Sequence, residues 1–191
     1  GLSNNTVQAI VEDSIGNMYF GTKGGGISIY DGQNITNYTS REGLSDNFVI
    51  SLIEDSEGTI WAGTEGSGLN KFSRDTIISF NTSDGLSNDI IWSIVEDNNS
   101  DLWLGTEKGL NNFILDDSLG VIINSFGKLD GLKGSDFYPN SVCLDDENRI
   151  WWGTGKSLAM LDLNKYEQVK KPPFLQITDI RLEQTFVDYR K

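Results

Sequence analysis

Paired carboxylates are the first residues that could do chemistry: Glu12-Asp13, Glu54-Asp55 and Glu96-Asp97. Two carboxyls held across a glycosidic bond can divide the acid and base roles of its cleavage. Neighbours on a strand point to opposite faces, however, and the pair recurs at a fixed interval, so it reads as architecture. Asp97-Asn98-Asn99-Ser100-Asp101 opens like a calcium loop, but Leu102 stands where glycine is needed and Lys108 where a bidentate glutamate is needed. Lys23-Gly24-Gly25-Gly26 could cradle a phosphate, yet no helix follows to hold the anion, and a β-turn is the expected reading.

No histidine occurs among the 191 residues. That removes Ser-His-Asp and Cys-His nucleophiles and His-ligated zinc, and no catalytic residue, metal ligand or cofactor is expected. Lys and Arg total 15 against 28 Asp and Glu, a formal net charge of −13. With so few cations to neutralise phosphates, nucleic acid and anionic membrane surfaces are poor partners. The single Cys143, within Val142-Cys143-Leu144, is expected to be a buried small hydrophobe.

What remains is binding chemistry. Sugars are held by aromatic faces against their C–H surfaces and by amides or carboxylates against their hydroxyls. Trp92, Phe137 and Tyr138, with Asn5, Asn47, Asn88, Asp89, Asp136 and Asn140, lie in or near segments that connect repeating units. Asn47, Asn88, Trp92, Asp136, Phe137, Tyr138 and Asn140 are therefore the candidate ligand residues, with an oligosaccharide as the candidate ligand. Polar connectors that merely face water look the same in sequence.

The elements that must position these residues repeat. Gly1-Leu2-Ser3-Asn4, Gly43-Leu44-Ser45-Asp46, Gly85-Leu86-Ser87-Asn88 and Gly131-Leu132-Lys133-Gly134 recur at intervals of 42, 42 and 46 residues. A second anchor keeps phase with the first: Tyr19, Trp61, Trp103 and Trp151 each stand two residues before a Gly-Thr pair headed by Gly21, Gly63, Gly105 and Gly153. Six residues before each aromatic is an aspartate (Asp13, Asp55, Asp97, Asp145), and three before it a turn former (Gly16, Gly58, Ser100, Asn148). That spacing predicts a hairpin in which the aspartate accepts turn N–H groups while the turn former takes a positive φ.

A glycine-rich turn and two further short strands follow each hairpin, so each unit supplies four strands. The first strand has adjacent apolar residues, as in Leu52-Ile53 and Ile94-Val95, which suits a sheet covered on both faces. Outer strands alternate and carry charge, which suits a water-facing edge. Four antiparallel strands per unit of this length predict an all-β fold, a β-propeller fragment of four blades over residues 1–42, 43–84, 85–130 and 131–171. Trp61, Trp103 and Trp151 are expected to pack between blades. After Lys170-Lys171-Pro172-Pro173 the period stops, and residues 172–191 read as a linker and the truncated first strand of another module, in a chain with no apolar stretch long enough to span a bilayer.

The string running from the GLSN-type start through I-E-D-S-x-G-x-I-W-x-G-T to the glycine turn resembles the two-component regulator propeller repeat of bacterial hybrid histidine kinases, notably of Bacteroides-type gut bacteria. Pro172-Pro173-Phe174-Leu175-Gln176-Ile177 resembles the opening strand of the immunoglobulin-like triple-tyrosine module that follows such propellers. The resemblance implies a periplasmic sensor segment that perceives a polysaccharide-derived ligand and signals to a kinase outside this chain. A purely structural or dimerisation role is the alternative, with a propeller-type lyase or glycosidase further behind. Four blades would leave two apolar faces uncovered, from which self-association is expected, with two chains completing an eight-bladed ring.

Overall fold

In the computed structural model, residues 1–166 are described apart from 74, 75, 117, 133, 135 and 156. The linker and truncated first strand expected of residues 172–191 lie outside these. Blade 1 comprises β1 (Val7–Glu12), β2 (Met18–Thr22), β3 (Gly26–Tyr30) and β4 (Ile35–Tyr38). Blade 2 comprises β5 (Val49–Glu54), β6 (Ile60–Thr64), β7 (Leu69–Ser73) and β8 (Thr76–Phe80). Blade 3 comprises β9 (Ile91–Glu96), β10 (Leu102–Thr106), β11 (Gly109–Asp116) and β12 (Gly120–Phe126). Blade 4 shows three strands among the described residues, β13 (Phe137–Leu144), β14 (Arg149–Thr154) and β15 (Leu158–Asp162). Each sheet is an antiparallel meander in chain order, and the inner strands β1, β5, β9 and β13 pack side by side. The only helices among the described residues are short 3₁₀ turns at Thr82–Asp84 and Lys128–Asp130.

The repeated aspartate explains why each inner hairpin forms. Asp55 accepts the amides of Glu57 (3.1 Å) and Thr59 (2.7 Å) on one oxygen and the Trp61 indole N–H (2.7 Å) on the other. Asp97 binds the Asn99 and Asp101 amides and the Trp103 indole, and Asp145 binds the Glu147 and Arg149 amides and the Trp151 indole. The six-residue spacing therefore joins a turn to a ring as well as organising the turn. Tyr19 keeps the same phase in blade 1, where Asp13 accepts the amides of Ile15 and Asn17. Burial and the Asp13 charge push the Tyr19 hydroxyl up to about 12. The turn formers take φ values of 92° at Gly16, 79° at Gly58, 64° at Ser100 and 60° at Asn148, as the spacing predicts.

Each ring then packs toward the following blade, a direction called trailing here. Tyr19 joins Val49, Leu52 and Ala62 between blades 1 and 2. Trp61 joins Ile91, Ile94 and Leu104 between blades 2 and 3, with Phe113 edge-on at 5.4 Å. Trp103 joins Phe137, Ile150 and Trp152 between blades 3 and 4. The glycine two residues on keeps these seams close. A Cβ on Gly63 would come within 2.8 Å of Ile91, and one on Gly21 within 2.8 Å of Val49.

Among the described residues, the trailing face of blade 4 has no such neighbour. Leu158, paired with Gly153, is 64% exposed, whereas its counterparts Ile27, Leu69 and Leu110 are 0%, 0% and 5% exposed. Trp151 is half-buried there, although the phase of the repeat predicts a seam residue. Cys143 pairs with Trp151 on this same open face and is exposed, which corrects the expectation of a buried thiol. Its counterparts Ile53 and Val95 are covered only because another blade lies over them.

Candidate functional site

At one end of the inner strands each sheet departs from regular pairing. Register shifts between Val7 and Ala9 and between Val49 and Ser51, together with one opposite Gly105 and Thr106, leave Gln8, Ile50 and Trp92 as bulged residues at matching positions. Blade 4 departs further. Phe137 pairs with Thr154 and Val142 with Trp152, so its two extra residues fall in the bulge, at Tyr138-Pro139-Asn140. Bulges re-aim side chains and often border functional sites.

Asn140 crosses the axis. Its Nδ2 donates to the carbonyls of Gln8 in blade 1 (3.1 Å) and Ile50 in blade 2 (2.9 Å). Its φ is +55°, a left-handed conformation inside a strand that Asn tolerates better than most residues. Beside it lies a cleft of about 150 Å³ lined by Gln8, Lys23, Phe48, Ile50, Glu65, Trp92 and Pro139. The Trp92 indole donates to Glu107 Oε2 at 2.8 Å, which fixes the ring. Lys23, Glu65 and Glu107 each follow a Gly-Thr pair, so one position of the repeat presents a cation or a carboxylate at the mouth. Aromatic faces, an amide, a cation and carboxylates thus converge on one small opening, the set of groups that holds a polyhydroxylated ligand.

The predicted residues divide. Trp92 lines this mouth, Asn140 donates to the carbonyls of two of its lining residues, Gln8 and Ile50, and Tyr138, on the same bulge, is 58% exposed. Phe137 is 5% exposed and belongs to the core between blades 3 and 4, so it offers no surface to a ligand. Asn47 and Asp136 sew connectors to preceding turns: the Asn47 carbonyl accepts from Gly24 and Gly26, and the Asp136 carbonyl accepts from Gly155. The Asn47 side chain accepts the Ser40 amide, and the Asn88 side chain accepts the Ile90 amide. Asp89 holds the Thr82 amide. Sequence reasoning missed Gln8, Lys23, Phe48, Glu65, Glu107 and Pro139. The available signal was that the residue after Gly-Thr changes from copy to copy while the pair itself does not.

A larger apolar cavity of about 1210 Å³ lies at the rim between blades 3 and 4, lined by Trp103, Phe126, Leu129, Trp152, Met160 and Tyr166 among others. It adjoins β15, and its lining also includes Asp116, Asn124, Ser125 and Asp130.

Radial four-stranded sheets stacked through their inner strands, with one repeated Asp-aromatic hairpin each, define a β-propeller of tandem repeats. The two component regulator propeller family model matches residues 1–24, 43–66 and 85–108. The fourth blade lies outside those matches. Two extracellular domains assigned to hybrid two-component systems of B. thetaiotaomicron share the fold. One is 27% identical with a TM-score of 0.66, covering 84% of this chain and 22% of its own. The other is 23% identical with a TM-score of 0.62, covering 86% of this chain and 28% of its own. This chain therefore spans about a quarter of the extracellular domains it matches. A virginiamycin B lyase of Staphylococcus aureus is 17% identical with a TM-score of 0.63, covering 84% of this chain and 56% of its own, a likeness of fold. A comparison with curated proteins gives no match. No helix among the described residues is long and apolar enough to cross a membrane.

Proposed function

We propose that this chain is part of the extracytoplasmic, periplasmic sensing region of a hybrid two-component system, and that the axial mouth receives one sugar unit of a polysaccharide-derived ligand. The propeller-family matches and the 27% identical extracellular domain support the first half. The second rests on one observation: the extra residues of β13 carry Asn140 across the axis beside Trp92, where non-repeating polar groups gather. A cleft of about 150 Å³ is smaller than the pockets of drug-sized ligands, so the rest of an oligosaccharide would lie over the open end. Binding here is non-catalytic in this reading. Ligand would favour one arrangement of the inner strands, and the shift in population would pass toward a kinase outside the chain.

Calorimetric titration with a panel of plant and host oligosaccharides tests this. Heat of binding that is lost in Trp92→Ala supports the reading, and no heat from any oligosaccharide at millimolar concentration overturns it. The open trailing face of blade 4 favours a second reading, in which these blades serve assembly and ligand is recognised elsewhere in the sensor.

A further inference from the structure

The axial mouth favours one sign of charge. Phe48 joins two of its lining residues through the backbone: it bridges Lys23 on one side, and its carbonyl accepts the Glu65 amide at 3.0 Å on the other. Among the described residues neither the Lys23 ammonium nor the Glu65 carboxylate enters an ion pair, and both residues are exposed. Glu107, at the same repeat position as Glu65, brings a second carboxylate, so two anions stand against one cation in a chain of net charge −13. An anionic sugar entering here would be repelled both by the mouth and by the field of the whole molecule, whereas a cationic one would be drawn in.

Two aromatic faces act in the same sense. Phe48 is 39% exposed, and its Cζ lies 3.5 Å from the place a Cβ on Gly24 would occupy, so the ring rests against bare backbone. The half-buried Trp92 ring is pinned by its bond to Glu107 Oε2 at 2.8 Å. An indole that donates its N–H to a carboxylate is more electron-rich over its face, and the face of Trp is the best aromatic partner for an ammonium. A hydroxyl gains little from either feature, and a protonated amine gains from both.

We propose that the sugar unit received at the mouth carries a free, protonated amine, held by the Glu65 carboxylate against the faces of Trp92 and Phe48, with Lys23 directing the amine toward Glu65 by repulsion. This specificity rests on the mouth being a sugar site. N-acetylation removes the ligand's charge and a uronate reverses it, so Glu65 and Lys23 decide which members of one sugar series are accepted.

Titration of the whole chain with four methyl glycosides tests this: the glucosaminide, its N-acetyl derivative, the glucoside and the glucuronide, each followed by the Trp92 indole N–H resonance. The glucosaminide is expected to bind roughly tenfold more tightly than the glucoside, through one exposed ion pair and one cation–π contact. Glu65→Gln should cut that preference about threefold, and Lys23→Gln, by lifting a repulsion, should widen it. Both positions are exposed, so neither change should disturb folding. If the glucoside, the N-acetyl derivative or the glucuronide binds at Trp92 as tightly as the glucosaminide, the amine specificity is overturned while the sugar site stands. A preference for the glucosaminide that Glu65→Gln leaves unchanged also overturns it, because the net charge of the chain alone would then be the cause. If none of the four moves the Trp92 resonance, the amine specificity falls, and calorimetry with oligosaccharides decides the sugar site separately.

Discussion

Replacing Asp97 by alanine is the most informative single perturbation of the repeat. Its carboxylate is 7% exposed and accepts three hydrogen bonds: the Asn99 amide at 2.8 Å, the Asp101 amide at 3.2 Å and the Trp103 indole at 2.8 Å. Trp103 is buried in the seam with blade 4, so its N–H would lose its acceptor where water is scarce, at a cost of about 1–3 kcal/mol. The two turn amides lie nearer the surface and can recruit water, which limits each loss to about 0.5–1 kcal/mol. The sum is about 3 kcal/mol. Urea denaturation followed by tryptophan fluorescence reads it directly. With a slope of about 2 kcal/mol per molar, the midpoint should fall by about 1.5 M at unchanged slope. Asp145→Ala provides the contrast, because Trp151 stands half-buried on the open face and its N–H can reach water. Its midpoint should fall distinctly less. A shift of less than about 1 kcal/mol for Asp97→Ala, or an equal shift for both variants, would refute the view that the aspartate stabilises by holding a buried indole.

Gly63→Ala should destabilise by about 1–3 kcal/mol in the same assay, because its methyl would meet Ile91 at 2.8 Å in the closed seam between blades 2 and 3. Asn140→Ala should cost about 2 kcal/mol through its two lost carbonyl contacts and its left-handed backbone, and Asn140→Gly, which tolerates that backbone, should cost less. Burial alone would raise the Asp145 carboxyl, but hydrogen bonds from Trp151 and Arg149 outweigh it and hold the pKa at about 2, below the ordinary 3.8. A carboxyl depressed on folding stabilises above its unfolded pKa, so this contribution should disappear as pH falls from about 4 toward 2. Asp145→Asn should flatten that part of a melting-temperature profile. Cys143, exposed on the open face, should react stoichiometrically with Ellman's reagent in the folded protein, and protection until unfolding would contradict its placement.

The blades were legible because two anchors in phase fix the hairpins, and pairing of inner with second strands follows from them. The partner of each aspartate was half legible. Turn amides are implied by Asp followed by a positive-φ residue, whereas the indole bond depends on where Trp points once the strands pair. Four blades imply two uncovered faces, but which residues those faces leave open was not legible: Trp151 and Cys143 have the types and phase of seam residues, yet Trp151 is half-buried and Cys143 exposed. The axial site was partly legible. Trp92 and Asn140 stand out as departures from the repeat, but the extra residues of blade 4 could be placed on the axis only through the pairing of Phe137 with Thr154 and Val142 with Trp152. The same pairing draws Phe137 into the core, whereas its neighbour Tyr138 stays outside. Asn47 and Asn88 were chosen for residue type, and their side chains hold connector amides instead.

The central claim is that the axial mouth beside Trp92 recognises ligand. Two-dimensional ¹H–¹⁵N spectra resolve the indole N–H resonances of the five tryptophans. Titration with an oligosaccharide that binds should move the Trp92 indole, held at the mouth by Glu107, and leave the buried Trp61 and Trp103 indoles in place. Binding that moves the other indoles while the Trp92 resonance stays fixed would contradict the account.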